Sequence, residues 1–271
     1  MQRDTLRHVD DLECQCLWRT LSRWGVAGLV ITIGLAAAAT AAPPPPRPAE
    51  LLPDLVQESP QTIGVSRVRG RDLLGFRSAV HNAGDGPLII DARRSSTRVG
   101  DMAAVQLIRR ADGATRTVAG GGFLRFVRSP DHSHWHFFPF ERYELRREGS
   151  NIRLVRDRKS GFCLGDRYRA EPRPSGTVDA PVYISRCGLG APTRLKLREG
   201  ISVGWGDDYP AYLDDQHIDV TDVPPGRYVL VHIVNASRRI REGDYSNNEA
   251  SRRIELRRAN GRLTVRILGP R

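Results

Sequence analysis

The sequence predicts an all-β fold, an antiparallel β-sandwich with long connecting loops, on three observations. Short runs rich in β-branched and aromatic residues recur along the chain, several alternating apolar with polar. Gly, Asn, Asp and Pro stand at the breaks between them. No stretch beyond residue 42 keeps the apolar period of a long helix. Strands of this kind each have one face to bury, and packing sheet on sheet buries it.

The elements follow in order. "LLGFRSAV" (73–80) runs into the turn "HNAGDGP", and "LIID" follows. "AVQLIRR" (104–110) ends at "ADGA", and "GFLRFV" (122–127) leads into a histidine-rich stretch. "QHIDV" (216–220), "RYVLVHIV" (227–234) after "PPG", and "SRRIELRR" (251–258) joined to "RLTVRIL" (262–268) across "ANG" complete the series. Residues 165–200 are poor in pattern and read as a long loop. There is no internal repeat.

The N-terminus stands apart. Residues 25–42, "GVAGLVITIGLAAAATAA", are uncharged, follow Arg19 and Arg23, and end in small residues before "PPPPRPAELLP". This predicts a secretory signal cut near Thr40–Ala42, or a membrane anchor, although Asp4, Asp10, Asp11 and Glu13 in the leader are unusual for a signal. The expected division is a leader over 1–42, a proline-rich linker over 43–60 and a folded domain over 61–271, lying outside the cytoplasm (periplasmic or secreted). Cys14 and Cys16 fall in the leader. Cys163 and Cys187 fall in the exported part, where a disulfide is the default and a metal site the weaker alternative.

The chain has 271 residues and a formal net charge of +11. Its cations are scattered and accompany no stacking motif, which argues against nucleic acid and is compatible with acidic partners or surfaces. Of 42 basic residues only Lys159 and Lys196 are lysine. A lysine that survives such a preference for arginine can be required as an amine, because arginine cannot lose its proton to become a nucleophile.

"SPDHSHWHFFPFERYEL" (129–145) carries His132, His134 and His136 at every second position. On a strand, alternate residues share a face, so the three imidazoles project together while Ser133 and Trp135 face the other way. Three neutral imidazoles suit copper or zinc and leave a position open for a small molecule.

Several blocks then resemble the lysyl oxidase family in the right order. They are "HSHWHFFPFERYEL", "KSGFCLGD" (159–166), "DDYPAYLDDQHIDVTDVPPGRYVL" (207–230) and "EGDYSNN" (242–248), with "LLGFRSAVHNAG" upstream. The resemblance implies copper on His132, His134 and His136. It also implies a lysine tyrosylquinone built from Lys159 and Tyr209, and oxidation of a primary amine, peptidyl lysine included, by dioxygen. A folded catalytic domain over 61–271 is implied with it. Addition of the Lys159 amine to an oxidised Tyr209 needs a neutral, desolvated lysine. Asp208, beside Tyr209, is the candidate base, although neighbours on a strand face apart. The chain departs from the family pattern at Arg128, Ser129 and Asp131, at Trp135, at Pro210, at His217 and in a stretch after His136 that is one residue shorter; the extra cysteines of animal members are missing. These changes bear on substrate access and loop geometry. His217 is expected in the core.

Two rivals remain. Residues 219–255 also resemble bacterial adhesion-type immunoglobulin-like domains, which would make the chain a non-catalytic metal-binding or adhesion module. His134, His136 and Glu141 suggest a cupin-like oxygenase, but the glycine expected before the histidines is missing.

Overall fold

In the computed structural model the described residues are 49–129, 133–150, 152–156, 161–213 and 216–269. The leader over 1–42, with Cys14 and Cys16, lies outside them, as do His132 and Lys159. The strands are β1 (Glu50–Leu51), β2 (Leu55–Gln57), β3 (Gln61–Val68), β4 (Arg71–Asn82), β5 (Leu88–Arg93), β6 (Met102–Arg110), β7 (Thr115–Arg128), β8 (Ser133–Phe138) and β9 (Glu141–Arg147). They continue with β10 (Arg153–Arg156), β11 (Tyr168–Arg169), β12 (Lys196–Ile201), β13 (Trp205–Tyr209), β14 (His217–Asp219), β15 (Gly226–Val234), β16 (Glu249–Ala259) and β17 (Arg262–Gly269). No helix occurs among the described residues. The fold is all-β.

Three antiparallel sheets share one core. The first has the order β12-β5-β6-β7-β8, with β1 added on β6. The second runs β10-β9-β15-β16-β17, and the third β11-β13-β4-β14, with β2 and β3 also on β4. Side-chain alternation explains which residues enter the core. On β4, Leu74, Phe76, Ser78 and Val80 point inward and are buried, whereas Arg77 between them is only partly covered. β15 is buried on both faces: Tyr228, Leu230 and Val234 join the main core, while Val229, Val231 and Ile233 form a second small cluster. An interior strand of its sheet has both faces to cover, and its near-continuous apolar run follows.

Residues 49–60, which the sequence places in a linker, supply β1 and β2, and the Leu55 amide donates to buried Glu242 at 3.0 Å. The same carboxyl accepts from Asn235 at 2.6 Å and Asn248 at 2.5 Å. "EGDYSNN" is thus a loop-closing motif that staples β2 to the β15–β16 connection. The patternless stretch 165–200 carries β11 and the start of β12, held by the Cys163–Cys187 disulfide (Cα–Cα 5.7 Å) and by buried Asp166, which accepts from the amides of Val182, Tyr183 and Ser202. His217, expected in the core, is half-buried on β14, where the alternation sends Ile218 inward instead.

Candidate active site

β8 presents the histidines. His134 and His136 lie two apart on one face, their Nε2 atoms 2.8 Å from each other, while Trp135 is fully buried on the other face and donates its indole N–H to the Ala191 carbonyl at 3.1 Å. At this separation one ring donates a hydrogen bond to the other, so both Nε2 atoms are turned to the same side of the strand. His132, the third expected ligand, lies outside the described residues, and among those no group of three or more His, Cys, Asp or Glu is placed to hold a metal ion.

The segment that follows Lys159 docks on the same strand. Phe162 and Phe137, next to His136, exchange both backbone hydrogen bonds, Phe137 N–H to Phe162 O at 2.7 Å and Phe162 N–H to Phe137 O at 3.1 Å. Gly161 lies flat against the Phe138 ring, where an added Cβ would sit 2.1 Å from a ring carbon, so only glycine lets the segment approach this closely.

β13 brings Tyr209 to this segment. Its ring packs edge-on against Phe162, centroids 4.3 Å apart, and its hydroxyl donates to the Cys163 carbonyl at 2.6 Å. Asp207, two residues earlier on the same face, lies 3.0 Å from the same hydroxyl. Tyr209 is 7% exposed and part of the main core. Burial, then the neighbouring carboxyls of Asp207, Glu141 and Glu199, push its phenol well above the ordinary range. Asp207 accepts from the Gly165 and Asp208 amides, each at 2.9 Å, and the Arg167 guanidinium is 3.8 Å away. Burial outweighs these partners and raises its carboxyl to about 8.

Asp208 stands elsewhere. Adjacent residues of a strand face opposite ways, so it leaves the Tyr209 side and accepts from the Arg77 guanidinium at 2.9 Å. Arg77 also lines a cleft of 480 Å³ with Thr62, Pro210, Ala211 and Tyr212, at the turn that follows Tyr209. Strand alternation around Tyr209 is the signal that would have pointed to Asp207 in place of Asp208.

Further buried polar groups border the site without any trace in the local pattern. Ser78 is opposite Tyr209 in the β4–β13 register and donates to Glu141 at 2.9 Å. Glu141 also accepts from Tyr143 at 2.5 Å, and Ser78 is 3.0 Å from the Nδ1 of fully buried His232. Burial lowers His232 to about 3, so the ring is neutral. Lys196, the other lysine, is exposed on β12 at the end of its sheet.

The comparison with known proteins decides the family. The family model described as lysyl oxidase matches residues 127–265, from the end of β7 to β17. The chain belongs to the lysyl oxidase family. Its similarity to curated members is moderate and partial. Protein-lysine 6-oxidase of Rattus norvegicus is 34% identical over 130 residues, 46% of this chain and 27% of that one. The protein of the same name from Sus scrofa is 34% identical over 130 residues, 46% of this chain and 44% of that one. Lysyl oxidase homolog 1 of Homo sapiens is 31% identical over 121 residues, 43% and 18% respectively. The chain spans less than half the length of these relatives. For this lysyl oxidase family chain, the matched region contains β8, the Phe162–Cys163 segment paired with it, and β13, which brings Tyr209 to that segment.

Proposed function

We propose that the chain is a copper-dependent amine oxidase that converts a primary amine, dioxygen and water into an aldehyde, ammonia and hydrogen peroxide, with protein lysines as a substrate class. The observation that supports this best is Tyr209, a buried phenol held against the backbone of the segment that pairs with β8 beside His136. His132, His134 and His136 are the copper ligands, and Lys159 and Tyr209 the two halves of a lysine tyrosylquinone. Copper and the quinone supply the two-electron oxidation and pass the electrons to dioxygen.

The chain's own groups supply the rest. The Cys163 carbonyl and Asp207 orient the Tyr209 ring through its hydroxyl. Phe162 covers one side of that ring and keeps water off it. Asp207 holds a proton up to about pH 8 and accepts one above it, which suits a proton acceptor next to the reacting group; Asp208 is turned to the opposite face and paired with Arg77, away from the Tyr209 hydroxyl. We place the protein outside the cytoplasm, periplasmic or secreted, where the Cys163–Cys187 bond is at home, with 1–42 either a signal that is cut off on export or an anchor that is kept. Nucleic acid is not part of this function.

Peptide mapping of the copper-loaded protein tests the proposal. Joined peptides containing Lys159 and Tyr209, together with a phenylhydrazine adduct, are the expected result, and Tyr209→Phe removes both. Copper-loaded protein with neither signal is a metal-binding module instead.

A further inference from the structure

Glu199 lies on β12, is fully buried and bears a carboxyl that the oxidase chemistry above does not use. Its Oε2 accepts from the Leu164 amide at 3.1 Å, and its Oε1 has no hydrogen-bond partner among the described residues. Burial pushes this carboxyl well above its ordinary range, with the Asp207 charge adding to the effect. A group so placed costs stability; a leucine or methionine there would be cheaper to bury. What the carboxyl provides, and an apolar side chain cannot, is an acceptor for a backbone N–H outside any strand ladder.

The neighbouring amide has the same treatment. Gly165 N–H goes to Asp207 on β13, so two successive amides are each captured by a buried carboxyl from two successive strands. The residue before them is Cys163, whose carbonyl receives the Tyr209 hydroxyl and whose sulfur is tied to Cys187. The disulfide restrains the Cys163 side chain; the amide clamp restrains the peptide plane that aims its carbonyl.

We infer that Glu199 is a positioning residue for the reacting tyrosine: by holding the Leu164 amide it aims the Cys163 carbonyl, and so sets the orientation in which Tyr209 meets Lys159. The inference rests on the function proposed above and deepens it. Glu199 acts through the 163–165 backbone, not on the reacting atoms.

Two variants of the full exported chain test it. Glu199→Gln keeps an acceptor oxygen at the same reach; Glu199→Met keeps the volume and removes the acceptor. Hydrogen exchange at the Leu164 amide reads the clamp in metal-free protein, and the fraction of joined Lys159–Tyr209 peptide reads its consequence after copper loading. In Glu199→Met, exchange is expected to quicken about tenfold and the joined fraction to fall about tenfold, with copper content unchanged; Glu199→Gln stays within about twofold of wild type on both. Unchanged exchange or an unchanged joined fraction in Glu199→Met overturns the inference. So does a Glu199→Met chain that fails to fold while Glu199→Gln folds, which would assign Glu199 to the fold as a whole. If wild type itself forms no joined peptide, the oxidase proposal fails and the assignment to Tyr209 chemistry with it; the exchange arm still decides separately whether the clamp exists.

Discussion

The Tyr209 hydroxyl donates to the backbone carbonyl of Cys163 at 2.6 Å, 46 residues away in sequence. This bond connects the strand that bears the phenol to the segment that follows Lys159, and that segment is in turn paired with the histidine strand through Phe162 and Phe137.

Tyr209→Phe removes the hydroxyl and leaves the ring packing against Phe162 in place. The Cys163 carbonyl and Asp207 each lose a donor, so the expected cost is about 1–3 kcal/mol, read as a lower denaturation midpoint. Copper content stays at wild-type level, and amine oxidation, followed as peroxide release, falls to background.

The two neighbouring aspartates are expected to separate cleanly. Asp207→Asn lowers the oxidation rate by about 10²–10⁴ fold, the range typical of a lost general base, and removes the limb of the pH–rate profile that rises towards pH 8. Asp208→Asn loses only a partly exposed ion pair with Arg77 and stays within a few tenths to about 1 kcal/mol of wild type in stability. Equal effects from both substitutions would contradict the assignment.

Stability should fall as pH rises. Asp207 is raised from 3.8 to about 8 and Glu242 from 4.5 to about 7, both mainly by burial. A carboxyl whose folded value is raised stabilises fully below its unfolded value, and that contribution is lost as pH rises through the folded one. Buried His232 works the other way below its ordinary 6.5, so the clean window lies above it: denaturant midpoints between pH 6.5 and pH 9 are expected to decline through about 7 to 8, and Asp207→Asn or Glu242→Gln to flatten the decline. A midpoint that climbs across this window contradicts the buried placement of both groups.

Replacing Cys163 and Cys187 together by serine opens a loop of sequence separation 24. Constraint of the unfolded chain by a loop of this size is worth about 3 kcal/mol, so the thermal midpoint drops by several degrees and a reductant reproduces the effect on wild type. The yield of joined Lys159–Tyr209 peptide falls as well, because the acceptor of the Tyr209 hydroxyl is the Cys163 carbonyl.

Gly161→Ala forces a methyl into the Phe138 ring. Overpacking of this kind costs about 1–3 kcal/mol, measurable by chemical denaturation, and is expected to lift the 161–165 segment off β8 and depress the joined-peptide yield.

The sequence by itself determined the fold class and much of the strand plan. Runs such as 73–80, 104–110 and 227–234 are strands because alternation and β-branched content are local properties that a strand turns directly into an inward face. It also determined the residue types the chemistry needs: the histidine triplet, the paired cysteines, the scarce lysine, and Tyr209 within its motif. Tertiary structure alone decided how they meet. The capture of residues 49–60 by β4 and β6, the strand nature of 196–201 inside a patternless stretch, and the grip of Glu199 and Asp207 on the amides of Leu164 and Gly165 all depend on partners tens of residues away. Asp208 lies next to Tyr209 in the sequence yet faces Arg77, while Asp207 shares the buried face. A buried carboxyl is stable only where the fold brings it a donor, and the position of that donor is a property of long-range strand pairing, which no local pattern carries.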